Sequence, residues 1–172
     1  MVSLMQSGEY DVVSASGDAS LRLIYGGDVA PVNTDLIPNY KDVFDNLKLQ
    51  PWNSVNGVAY GVPHGRGANL LACRTDIVKP APTSWGAVFD TNSPYKGKIT
   101  AYDSPIYIAD AALYLMKTNP DLGIKYPYAL DQKQFDASAE LLKSQKPLIG
   151  EYWGDYLKHV ADRKSTRLNS SH

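Results

Sequence analysis

The side chains with the most chemistry to offer sit in short polar stretches behind apolar runs. Ser16, Gly17 and Asp18 follow Tyr10–Ser14, and Asp103 and Ser104 follow Lys98–Tyr102. His64 and Arg66 alternate with Gly65 and Gly67. Hydroxyls, carboxylates and cationic nitrogens on loops can hold a small polar solute by hydrogen bonds and charge. Glycines beside them let the main chain approach it closely. Each stretch also has a plainer use. Ser16–Asp18 can serve as helix caps only, and His64 and Arg66 can be solvated side chains of a turn. Ser16, His64 and Asp103 also spell a hydrolase on paper, but no nucleophile elbow supports it. The sequence has no G-x-S-x-G, no H-E-x-x-H, no Walker-type glycine-lysine loop and no Cys/His metal spacing. A binding protein without cofactor or metal is therefore the expectation, and not an enzyme.

The elements that must position these groups are short. The stretch Gly57–Asp76 organises the chain, with strands expected at Gly57–Pro63 and Ala68–Cys73 around the glycine-rich bend. Tyr10–Ser14 reads as a buried strand, followed by a polar loop and a helix starting near Leu21, capped by Asp18 or Ser20. The same order recurs at Lys98–Met116, where Tyr107, Ile108, Ala111, Ala112, Leu115 and Met116 give the helix its apolar stripe. Loops at the carboxyl ends of strands in an open α/β sheet are where ligands usually sit. Asp42–Leu47 has the spacing of a helical turn or two, Trp85–Phe89 of a short helix, and Leu130–Ser144 of a longer one with Phe135, Ala139 and Leu142 on one side. Leu148–Trp153 is strand-like, and Asp155–Val160 opens a further helix. Trp52 and Trp85 are most simply packing residues. Lys79-Pro80-Ala81-Pro82 is stiff and cannot be helical, so the chain is expected to divide into residues 1–78 and 79–161, two α/β lobes with a solute cleft between them.

Length and charge narrow the field. The chain has 172 residues and a formal charge of −1, enough for one domain with a core or parts of two, and without the basic stripe that nucleic-acid binding needs. No apolar run approaches the roughly 20 residues of a membrane span. The single cysteine, Cys73, has no partner for an internal disulfide and lies in an apolar run, as a small buried hydrophobe does. The tail Asp162–His172 lacks any hydrophobic period and matches the in-frame translation of a short-read sequencing adapter, so it is expected to stand outside the fold. Met1–Ser7 reads as the close of an amphipathic helix ended by Gly8, which points to a missing start and leaves the lack of a signal peptide uninformative.

YDVV with SGD behind it, AYGVPHGRGANLLACRTD, TSW, YKGKITAYDS and the helix that ends before IGEYW, in this order, resemble the periplasmic polyamine-binding proteins of ABC importers, the spermidine/putrescine type. The resemblance spans most of Met1–Ala161. It implies a two-lobe periplasmic binding protein fold of type II, incomplete here, with a hinge crossing near Arg74–Pro82. It further implies a periplasmic or cell-surface location, delivery of a small solute to membrane permease subunits, and a ligand site formed by Ser16, Gly17, Asp18, His64, Arg66, Asp103, Ser104 and Tyr107. Ser16 and Asp103 match a serine and a carboxylate of such sites. Asp18, His64 and Arg66 stand where aromatics are usual, and Tyr107 stands near the place of a second carboxylate. A cationic Arg66 in the cleft would repel a polyamine, so another small polar or anionic solute is the alternative.

Overall fold

The structure, a computed structural model, describes residues 2–154 and 168–171. The chain divides into two compact units, Met1–Arg66 and Gly67–His172. The division falls within the glycine-rich bend and not at the prolines, because the strand that follows the bend pairs into the second unit's sheet.

In the first unit, helix α1 (Val2–Gln6) is tied to the turn after helix α2 (Gly17–Gly26) by the Gln6 amide, which donates to Asp28 at 3.1 Å. Leu21 and Leu23 are the buried side of α2, and Gly27 ends it with φ 74°, a left-handed cap that a β-carbon would strain. Strands β1 (Ser54–Val55) and β2 (Val58–Ala59) form an antiparallel hairpin. Its turn is Asn56-Gly57, both with positive φ, the turn that matches the twist of the strands. Gly57–Pro63 is therefore not one strand paired across the later bend; only Val58–Ala59 pairs, and with the residues before it. Tyr10–Ser14 forms no ladder, and Val12 is 85 % exposed. An extended segment becomes a strand only beside a neighbour with free backbone groups, and within this unit the described ladder is the β1–β2 hairpin alone. Asp42–Leu47 likewise gives no α-helix: the chain makes tight 3₁₀ turns at Pro38–Asp42 and Asp45–Leu47, and Phe44 is exposed.

In the second unit, β3 (Leu70–Ala72), helix α3 (Gly86–Phe89), β4 (Ile99–Tyr102), helix α4 (Tyr107–Thr118), helix α5 (Gln132–Gln145), β5 (Ile149–Trp153) and β6 (Leu168–Ser171) follow in order. The sheet order is β3-β6-β4-β5, with β4 parallel to β5 and to β6, and β3 antiparallel to β6. The tail was expected to stand outside the fold, yet Leu168–Ser171 fill the place between β3 and β4. Edge backbone groups accept any extended main chain whatever its hydrophobic period. The remainder of the tail, like the helix start expected at 155–160, lies outside the described residues. The core joins Val88, Phe89, Ile99, Ala101, Tyr107, Ala111 and Leu148, with Trp85 and Cys73 packed partly buried against it.

The Gln145 amide, 1 % exposed, donates to the Val88 carbonyl at 2.7 Å and to the Tyr107 hydroxyl at 2.9 Å, joining α5 to α3 and α4. Gly150 is required by packing, since a β-carbon there would run into the Gly97 carbonyl. Helix α5 starts with a capping box: the Gln134 backbone donates to Asp131 at 2.8 Å, and the Asp131 backbone donates to the Gln134 side chain at 3.0 Å. Asp131→Ala is expected to lower the stability of the unit by about 1 kcal/mol. Denaturant unfolding followed by circular dichroism measures it; an unchanged midpoint would remove the box from the stability of α5. Phe135, expected on the inner side of α5, is 46 % exposed, and Ser138 takes the buried position.

Candidate functional site

Ser16 is the N-cap of α2 by backbone geometry, but its side chain does not cap. Its hydroxyl donates to Asp18 at 2.6 Å, so the two side chains make one polar pair at the helix start, with Gly17 between them. The Ser16 hydroxyl therefore gives its proton to Asp18, where a hydrolase would have it donate to an imidazole. Asp18 sits in the first turn, where a carboxylate is favoured by the helix dipole.

His64 and Arg66 are exposed, on a stretch, residues 61–69, without regular structure. A β-carbon added at Gly65 or Gly67 would meet open space, so the main chain there is uncovered.

Asp103 and Ser104 leave the carboxyl end of β4. The Asp103 backbone donates to the Trp153 carbonyl at 2.8 Å, which fastens the loop to the end of β5, while the Asp103 side chain stays exposed. Beside it stands a residue that sequence reading passed over. Tyr152 pairs with Ala101 in the β4–β5 register and is 44 % exposed. Burial pushes its phenol pKa up, and the Asp103 charge adds to the rise, which places the ring in the field of that carboxylate. The signal for Tyr152 was its place next to Trp153 in a strand: neighbouring side chains point to opposite faces, and Trp153 turns inward at 2 % exposure. An exposed carboxylate next to an exposed aromatic face is suited to a desolvated ammonium group, which needs opposite charge and π contact together.

Tyr107 is a correction. It is 5 % exposed, its ring lies 6.1 Å from that of Phe89, and its hydroxyl accepts from Gln145. As the first residue of α4 it begins the inward stripe, and its side chain is buried in the core. A shallow hollow of about 280 Å³ near Ser84, Asp90 and Tyr95 is lined by none of the candidate ligand residues. Among the described residues no group of three or more His, Cys, Asp or Glu could hold a metal ion, and no helix is long and apolar enough to cross a membrane.

The chain is similar in fold to the spermidine/putrescine ABC transporter substrate-binding protein PotD of Streptococcus pneumoniae, solved in complex with calcium and HEPES, with a TM-score of 0.61 at 13 % identity. The likeness covers 98 % of this chain and 50 % of that one, so the chain spans half the length of the protein it matches. It is an α/β likeness to part of a two-lobe binding protein. A family model for bacterial extracellular solute-binding proteins matches residues 1–166, and the chain belongs to that family.

Proposed function

We propose that the protein is the solute-binding component of an ABC importer, working outside the cytoplasmic membrane, and that it binds a polyamine such as spermidine or putrescine and hands it to membrane permease subunits. It is not an enzyme in this reading. The observation that carries the polyamine is the exposed Asp103 carboxylate beside the exposed Tyr152 ring, at the carboxyl ends of neighbouring parallel strands. Ser16, Gly17 and Asp18 would supply hydrogen bonds and a second carboxylate, with His64, Arg66 and Ser104 as further contacts. Tyr107 leaves the set because it is buried.

A second reading rests on Arg66, an exposed guanidinium in the uncovered bend. A guanidinium favours an anion and opposes a polyamine. Thermal unfolding of the protein expressed from its full reading frame, against spermidine, putrescine, amino acids, sugars and organic anions, separates the two. Saturating polyamine at a hundred times its Kd adds about 2.7 kcal/mol, which raises the melting temperature of a protein twice this length by about 4 °C. A rise with organic anions alone would overturn the polyamine and favour the Arg66 reading.

A further inference from the structure

Asp110 is the fourth residue of α4, and as a carboxylate it is unusual in being 8 % exposed. A carboxylate taken that far from water is costly unless it is hydrogen-bonded. The Asn69 side-chain amide donates to its Oδ1 at 2.6 Å, across 41 positions of sequence. Both ends of this bond lie at informative places. Asn69 is the last residue before β3 and closes the stretch 61–69, which has no regular structure of its own to hold it. Asp110 belongs to the helix that begins directly after the Asp103–Ser104 loop. Neither residue carries a feature that sequence patterning would mark, since an Asp within an apolar helix stripe reads as an outward side chain.

We infer that Asp110 is a positioning residue: through Asn69 it fixes where the chain leaves the His64–Gly67 bend and enters β3, and so sets the affinity for the solute. The second half of this inference rests on the function proposed above. The bond is short and charge-assisted, the kind that holds geometry best. A carboxylate accepts and an amide donates, so the pair is directional and can be reversed without changing its shape.

The test uses the protein from its full reading frame, with spermidine titrated calorimetrically and amide hydrogen exchange read over residues 68–72. Asp110→Leu and Asn69→Leu are expected to weaken spermidine binding about tenfold or more and to speed exchange at Leu70–Ala72 while α5 stays protected. The reciprocal double variant Asn69→Asp/Asp110→Asn restores the bond with its direction reversed. It is expected to recover both affinity and protection, which a general loss of stability would not allow. Wild-type affinity and wild-type exchange in Asp110→Leu would overturn the inference, as would a double variant no better than the single ones. A wild-type protein that binds no spermidine yet loses protection in Asp110→Leu would overturn the polyamine reading while the positioning role stands. The titration is then run with whichever solute raises the melting temperature. Should Asp110→Leu not fold, Asn69→Leu, at an exposed position, carries the same comparison.

Discussion

Phe89→Ala is expected to cost about 3–5 kcal/mol of stability, enough to unfold much of a domain whose total is about 5–15 kcal/mol. Phe89 is 2 % exposed and sits at the centre of an aromatic group. Its ring lies 4.9 Å from Tyr114, 6.1 Å from Tyr107 and 6.3 Å from Trp85. Helix α3, which carries it, has only four residues. A helix that short has no stability of its own, because nucleation costs more than its few hydrogen bonds return. Its place is set by what Phe89 packs against, so removing the ring opens a cavity and also releases the helix. Denaturant titration measures the effect. A midpoint equal to that of the wild type would mean that Phe89 is not in the core.

Asp103→Asn is expected to weaken spermidine binding by about 10–150-fold, the equivalent of about 1.5–3 kcal/mol for a hydrogen bond to a charged group. The substitution keeps the shape of the side chain and removes its charge, and the loop is fastened by a backbone bond to the Trp153 carbonyl that asparagine also makes. The unliganded melting temperature should therefore hardly move. Asp103 is exposed, so the attraction in the wild type should fall as salt is raised, and the Asn variant should lose that salt dependence. Titration calorimetry at two ionic strengths reads both. Equal affinity of the two proteins would take Asp103 out of the site, and with it the chief support for a cationic solute.

How legible the molecule was from its residues depended on how local each cause is. The second unit was read closely. Lys98–Tyr102, Leu130–Ser144 and Leu148–Trp153 differ from β4, α5 and β5 by only a residue or two, because amphipathic spacing and the Asp131 box are local signals. The first unit was read less well. Asn56-Gly57 between two valines is a strong hairpin signal, but the glycine-rich bend at His64–Gly67 carries a competing one, and the expected hairpin at Gly57–Asp76 follows from that bend. Tyr10–Ser14 has the composition of a strand and lacks a described ladder, since composition says nothing of whether a partner is at hand. Asp103 and Ser104 emerge at the carboxyl end of β4 as expected; Tyr107, read both as part of its helix's apolar stripe and as a ligand contact, is buried, and the exposure of Tyr152 near Asp103 was not read. Each error concerns which way a side chain points, and that is decided by register against a neighbouring element.

What the chain's order of residues determined alone is the α/β pattern, the solute-binding family to which its motifs lead, and the polar stretches that end its strands. The pattern and the polar stretches follow from propensity, capping and turn chemistry, which act over a few residues, and the family follows from the resemblance that the motifs carry. Tertiary structure alone decided that β3 joins the second unit, that Leu168–Ser171 complete its sheet, and that Asp110 meets Asn69. These are pairings between segments far apart along the chain, and backbone hydrogen bonds and close packing choose such partners by position in space.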